Sequence, residues 1–326
     1  MLTKLPQGAF ERVRPLFAPI AYNLVINATL SGLSPGPVFV DNTADPHLVL
    51  AQANSRLFLG GYGDEAFVPD LRQFFLDRFY PQAAESDLQG YTLHYLPGWE
   101  AYIDKILDGK HPMCSIRHHY SLDANSWTLA SQPPAGYELH PVDATLLARS
   151  DLEHMDVVIE EMQSERPSVE EFLAKSFGFC AIKDGAIVAW CMSEYNCGGR
   201  CEIGIWTLEE HRRRGLAVAT ASAVVDRAIT EGITTVGWHC WASNAPSIAT
   251  ALKLGFTLVT RYPVYFAYFN RQMNLAVNGN MSLHAGNAQQ AMKWFEEAEA
   301  LGELPAWANE QMVEARKIII SKADTS

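Results

Sequence analysis

Two apolar runs joined by Asp184-Gly185 constrain this chain most tightly. Phe179 to Lys183 and Ala186 to Tyr195 flank the dipeptide favoured in two-residue hairpins, where both central residues take a left-handed backbone. Gly198-Gly199 turns the chain again into a third run, Cys201 to Trp206. A helix from about Gly215 to Thr230 follows, then a strand, Thr235 to Trp241, a helix, Pro246 to Leu254, and one or two strands from Phe256 to Phe269. Antiparallel hairpins followed by a strand–helix–strand crossover predict an α/β fold with a mixed sheet. Upstream, Val142 to His154 and Ser168 to Ser176 read as helices. Ser168 is a good N-cap, with Glu171 three residues on to complete a capping box.

This region spans about Tyr137 to Asn270 and has different neighbours on each side. The clearest break is the loop Ser131-Gln132-Pro133-Pro134-Ala135-Gly136. Before it, Val38 to Val40, Arg56 to Gly60 and Tyr91 to Leu96 read as strands. Pro69 to Phe79 and Trp99 to Leu107 read as helices, with Pro69 tolerated in a first turn. After it, Arg271 to Ser326 carries no strand signal. Ala291, Phe295 and Ala298 recur there at helical spacing, and breaks near Gly286 and Pro305 predict three short helices. The expected division is a companion α/β domain (1–135), a central domain (136–270) and a helical tail (271–326). The tail resembles a single tetratricopeptide-like unit. One such unit cannot bury its own face, so the tail packs on the rest of the chain, on a second copy or on another protein.

Composition narrows the class of function. Lys and Arg number 25 against 37 Asp and Glu, a net charge of −12. A general nucleic-acid binder is more often basic, because neutralising phosphates drives such binding. No stretch of about 18 apolar residues predicts a membrane span. The start, MLTKLPQGAFERVRPLF, has no apolar core of signal-peptide length. Cys191, Cys197 and Cys201 lie close together without C-x-x-C spacing and read as reduced thiols on two adjacent strands, with metal binding the alternative. A soluble, cytoplasmic protein is expected. His118 and His119 point to opposite sides of a strand, a poor chelate, and no metal is expected.

Two familiar motifs fail on physical grounds. Gly32-Leu33-Ser34-Pro35-Gly36 matches a nucleophile elbow, but the oxyanion donor after the serine is Pro35, which has no N–H. Gly61-Tyr62-Gly63-Asp64-Glu65-Ala66 matches a dinucleotide fingerprint, but its helix starts only near Pro69, and two carboxylates would sit beside the phosphates.

One motif survives. His211-Arg212-Arg213-Arg214-Gly215-Leu216-Ala217 falls between a strand and a helix of an otherwise acidic chain. Gly215 and Ala217 keep the turn free of bulk. Successive N–H groups there form a concave donor nest, and the helix N-terminus adds its dipole. The physical reading is a pyrophosphate seat; the alternative is an ordinary turn with exposed arginines.

Arg212 to Ala217, as R-x-x-G-x-A, resembles the acetyl-CoA signature of the GNAT N-acetyltransferase superfamily. Cys201-Glu202-Ile203-Gly204-Ile205-Trp206 resembles that family's central strand. Asn244, Ser247 and Lys253-Leu254-Gly255-Phe256 resemble the helix and strand after it. The first region is similar to the zwittermicin A resistance-type branch, on Val40-Asp41-Asn42 with Pro46, Phe58-Leu59-Gly60-Gly61, Trp99 and Arg117-His118-His119-Tyr120.

The resemblance implies acetyl-CoA as co-substrate. Its pantetheine arm would lie against backbone on Trp206, Thr207 and Leu208. Its pyrophosphate would meet Arg212, Arg213, Arg214, Gly215, Leu216 and Ala217, with Asn244 and Ser247 on the opposite side. A deprotonated amine attacks the thioester directly, and a positioned base removes its proton. Glu202 is the first candidate base, sharing a face with Gly204 and Trp206; it can also be an exposed or hairpin-paired carboxylate. Glu194 on the neighbouring strand is the second. The family's usual acid, a tyrosine, is Ala251 here; Tyr265, Tyr262 or water would replace it. Trp238 and Trp241 line the acceptor site or belong to the core. The expected function is N-acetylation of a primary amine on a small molecule, an antibiotic or other metabolite. A non-catalytic acyl-CoA-binding protein and a scaffold using the helical tail are the rival expectations.

Overall fold

The structure, a computed structural model, describes residues 1–129 and 132–323, with side chains through Ser321. Ser131, the first residue of the boundary loop, and residues 324–326 of the tail lie outside the described residues.

Among the described residues, twelve strands form one sheet: β1 (Thr3–Lys4), β2 (Val38–Val40), β3 (Leu48–Ala53), β4 (Arg56–Gly61), β5 (Gly90–Tyr95), β6 (Met113–Asp123), β7 (Glu138–Pro141), β8 (Gly178–Lys183), β9 (Ala186–Cys197), β10 (Arg200–Thr207), β11 (Thr235–Trp241) and β12 (Thr257–Tyr268). Their spatial order is β1-β2-β3-β4-β5-β12-β6-β11-β10-β9-β8-β7. β4–β5 and β10–β11 are parallel; the other pairs are antiparallel. Asp184 (φ 50°) and Gly185 (φ 82°) close the β8–β9 hairpin in the left-handed conformation that the dipeptide favours.

β6 lies between β11 and β12, and β12 also pairs with β5. Strands on either side of the 131–136 loop therefore share one hydrogen-bonded ladder. On one face of the later strands packs the helix Leu216–Thr230, burying Ala221, Val224, Val225 and Ala228. On the other pack the helices Met155–Glu165 and Val169–Lys175, through Val158, Met162 and Phe172 against Trp190 and Met192. Ser168 caps the second of these, accepting the Glu171 N–H at 3.3 Å.

Some expected elements differ. Val142 to His154 is helical only over Ala144–Leu147. The Glu153 backbone instead bonds to Gly185 and Ile187 of the hairpin, and His154 turns left-handed (φ 64°). The long helix starts after that turn, at Met155. Trp99 to Leu107 contains only the helix Ile103–Ile106, because Trp99 is buried with its indole N–H on the Gly61 carbonyl. The final run is one strand, β12.

The described residues of the tail form three helices, Arg271–His284, Ala288–Glu299 and Ala306–Ala323. Ala291, Phe295 and Ala298 are fully buried among Leu275, Ala276, Ala308 and Met312. The tail docks on its own chain. The Asn274 amide donates to the carbonyls of Lys110 and His111 and accepts the Tyr268 N–H, while Trp294 meets the His111 ring at 5.1 Å. No helix among the described residues is long and apolar enough to cross a membrane.

Candidate active-site cleft

β10 and β11 pair only from Arg200 to Glu202, opposite Thr235 to Gly237. Beyond that point β10 stays with β9 as far as Thr207, and β11 stays with β6 as far as Trp241. The two strands therefore part, and a cleft of about 920 Å³ opens between them. Trp206 and Thr207 line one wall, Trp238 and Trp241 the other.

The cleft ends at the arginine-rich turn. Arg213 (φ 60°) and Gly215 (φ 86°) are both left-handed, the alternation that turns successive N–H groups to one side. Gly215 begins the helix Leu216–Thr230 without a side-chain cap, so the first N–H groups of that helix have no such partner. A Cβ added at Gly215 would meet nothing within 4 Å, so the approach to this backbone is open. Arg212 ties the turn to β10 by donating to the Thr207 carbonyl at 3.2 Å.

Arg212, Arg213, Gly215, Leu216 and Ala217 all line the cleft. Arg214 does not; it donates to the Glu210 carbonyl at 3.3 Å. Leu208 does not either: its N–H bonds to Val188 and its side chain packs near Leu216. Across the cleft, Asn244 accepts the Ser247 N–H at 3.1 Å, starting the helix Ala245–Lys253. The Ser247 hydroxyl accepts the Trp238 indole N–H at 3.0 Å.

Glu202, Gly204 and Trp206 share one face of β10, and Glu194 stands directly across from Glu202 on β9. Glu202 is only 5% exposed and accepts the Leu24 N–H at 2.6 Å. His239 Nε2 lies 3.3 Å from the same oxygen, close enough for an ion pair when the imidazole is protonated. Burial pushes the acid up. His239 and the Leu24 N–H outweigh that and hold its pKa down to about 2. His239 Nδ1 meets the Tyr262 hydroxyl at 2.8 Å, and its ring stacks on His119 at 4.3 Å. Burial first, then the charge of His239, lowers His119 to about 3.

Glu194 behaves in the opposite way. Burial, followed by the neighbouring Glu161 carboxylate, raises it well above the usual range, against the pull of Arg56. Glu161, on the helix Met155–Glu165, is raised by burial, and its carboxyl stands beside that of Glu194 at Gly204. Both carboxyls and Arg56 line the cleft, and the guanidinium of Arg56 donates to the Tyr195 hydroxyl at 2.7 Å. The result is a carboxyl pair that retains a proton where a free glutamate would have lost it.

Tyr265 packs on Tyr95 at 5.6 Å and does not line the cleft. Tyr262 also lies off the lining, but reaches it through His239. Ala251 is fully buried in the core. Cys191, Cys197 and Cys201 are free thiols on β9 and β10. Arg56, Arg117, Glu161 and His239 also belong to the cleft. No local motif marks them; only strand register and helix packing bring them there.

A family model described as GNAT acetyltransferase matches residues 14–265. An uncharacterized N-acetyltransferase of Bacillus subtilis, YdfB, is 26% identical over 270 residues, 82% of this chain and 99% of that protein. The fold resembles that of a GCN5-related N-acetyltransferase-like protein from Streptococcus suis, with a TM-score of 0.58, 20% identity, and coverage of 79% of this chain and 98% of that one. A tandem GNAT protein from the clavulanic acid biosynthesis pathway gives a TM-score of 0.51 at 16% identity, covering 83% of this chain and 98% of that one.

Proposed function

The chain belongs to the GNAT acetyltransferase family, and on that footing we propose that this acyltransferase moves an acetyl group from acetyl-CoA to a primary amine of a small molecule. The observation that carries the proposal is one cleft with two unlike ends. One end is a turn of alternating left-handed residues with open backbone at Gly215; the other holds the Glu161–Glu194 carboxyl pair.

The residues present suit acetyl-CoA. Arg212, Arg213 and the backbone from Gly215 to Ala217 would hold its pyrophosphate, since helix N-termini and donor nests attract phosphate. Trp206 and Thr207, on the unpaired edge of β10, and Asn244 and Ser247 across the gap would flank its arm. Arg214 would add long-range positive charge, and Leu208 would support the seat from behind. When bound, acetyl-CoA supplies the acetyl group as an activated thioester.

Glu194 is the proposed proton acceptor. Its raised pKa matches it to an amine better than the strongly acidic Glu202, because a base works best with a pKa near the working pH. Glu161 tunes it. Glu202 instead fixes His239 and receives the Leu24 N–H, locking the N-terminal segment over the site. Tyr265, packed on Tyr95, has no part in this chemistry.

We also propose the zwittermicin A resistance-type branch, a cytoplasmic location, and units that meet near residues 135 and 270 while sharing one sheet, with β6 of the first inserted between β11 and β12 of the second. Calorimetric titration with acetyl-CoA tests the seat. Binding should be lost when Arg212→Glu is combined with Gly215→Asp; unchanged affinity contradicts the assignment.

A further inference from the structure

Arg117 stands on β6, opposite Trp241 of β11 and Tyr262 of β12, and lines the cleft. Register places it on the sheet face that carries His239 and Glu202. Its guanidinium lies over the Trp241 ring, 4.9 Å from the centroid. No carboxylate forms an ion pair with it among the described residues, and its Nε N–H is buried without a hydrogen-bond partner.

Two other arginines of the cleft are engaged, while Arg213 stands exposed at the turn. Arg56 donates to the Tyr195 hydroxyl and faces the carboxyls of Glu194, Glu202 and Glu161, and Arg212 lies 3.8 Å from Glu209. Of the groups that feel Arg117, Tyr262, His94 and Cys240 supply no anion, and the ionised Glu202 on the same face is engaged by the Leu24 N–H. Tyr262 keeps its proton because burial raises it above the usual phenol range, and burial and the Arg117 charge hold His94 well below the usual histidine range. Arg117 as a whole is only half-buried and lines the cleft, so an anion there can meet its unpaired charge. Arginine's planar fork suits a carboxylate, which it can bind through two parallel hydrogen bonds.

Glu194 and Arg117 flank the gap from opposite sides, on β9 and β6, with β10 and β11 between them. A molecule lying across the gap would present its amine to the carboxyl pair and an anionic group to Arg117. We propose that Arg117 is an anion subsite of the acceptor pocket and that the acceptor is an amino carboxylic acid. This rests on the reading of the cleft as an amine-acetylating site.

The test uses matched probes in an acetyl-CoA-dependent thiol-release assay: L-lysine with cadaverine, L-tyrosine with tyramine, L-tryptophan with tryptamine. In at least one pair the amino acid should exceed its decarboxylated partner by about tenfold or more in kcat/KM. Arg117→Gln should bring the two within about twofold, acting on the acceptor KM and leaving the Kd for CoA unchanged. Arg117→Lys should restore part of the preference. Equal use of both members in every pair overturns the proposal. So does a preference that survives Arg117→Gln, or an Arg117→Gln variant whose CoA affinity falls. If the wild-type protein binds CoA but releases no thiol with these probes, calorimetry of the same pairs on the protein–CoA complex decides. Selective heat with the amino acids supports the subsite, and its absence overturns it. Failure of the wild-type protein to bind CoA instead contradicts the acetyl-CoA reading itself.

Discussion

The carboxyl of Glu194 occupies the space that a side chain at Gly204 would fill. A Cβ added at Gly204 would overlap Glu194 Oε1 and come within 3.4 Å of Glu161 Oε1. The glycine thus makes room for the carboxyl pair. Gly204→Ala is expected to displace Glu194 and lower kcat by about tenfold or more, while the affinity for acetyl-CoA stays the same. Glu194→Gln should lower kcat by about 100-fold, within the range that general-base catalysis contributes. Steady-state kinetics with calorimetry on the same samples separates the two effects. A loss of acetyl-CoA affinity in either variant would point to collapse of the cleft.

The pair also sets a pH dependence. Glu161 and Glu194 are faced by Arg56 of β4, by Glu202 of β10, and by Glu160, Ser164 and Glu165 of the helix Met155–Glu165. Both carboxyls are raised, so the working base forms only as the pH climbs above the ordinary glutamate range. The rate should therefore rise with pH on its acid side. Glu161→Gln removes a like charge beside Glu194, so the acid limb should move to lower pH. A limb that does not move would show that Glu161 does not act on the base.

Glu202 predicts the opposite linkage for stability. Its folded pKa of about 2 lies below the ordinary glutamate value of 4.5. The stability it contributes is fully present above about pH 4.5 and is lost as the pH falls through about 2. The contribution is on the order of 3 kcal/mol. Glu202→Gln should be less stable than the parent at neutral pH, and the two should converge near pH 2. Urea unfolding followed by circular dichroism at several pH values measures this. Parallel curves for parent and variant would contradict it.

Asn274 joins the tail to the sheet by three hydrogen bonds, to Lys110, His111 and Tyr268. Asn274 is 3% exposed, so Asn274→Ala removes three hydrogen bonds and packing from a buried position, leaving the His111 carbonyl only the Asn278 amide. A loss of about 2 kcal/mol or more is expected in denaturant titration. Removing the tail after Asn270 should cost more, because it uncovers the strand end that the tail protects.

The fold was legible where its determinants are local. Asp184-Gly185 marked its hairpin, and the turn at Arg212 to Gly215 marked the start of its helix, because each depends on backbone conformations that neighbouring residues dictate. The placement of β6 between β11 and β12 was not legible. It pairs residues more than a hundred positions apart, and nothing in Met113 to Asp123 names its neighbours. The cleft divides in the same way. Its donor-nest end comes from one short stretch. Arg56, Arg117, Glu161 and His239 come from four separate elements, and their chemistry exists only once register sets them together. Sequence pattern placed Glu202 on the face with Gly204 and Trp206, but not the Leu24 N–H and the His239 contact that make it too acidic to be the favoured base.

The most direct measurement is mass spectrometry of primary amines incubated with the protein and acetyl-CoA, parent and Glu194→Gln side by side. The expected result is one acetyl group added at the amine nitrogen by the parent. The variant should form it at least about 100-fold more slowly while binding acetyl-CoA as tightly. Thioester loss that does not depend on an amine, or a variant as fast as the parent, would contradict acetyl transfer through Glu194.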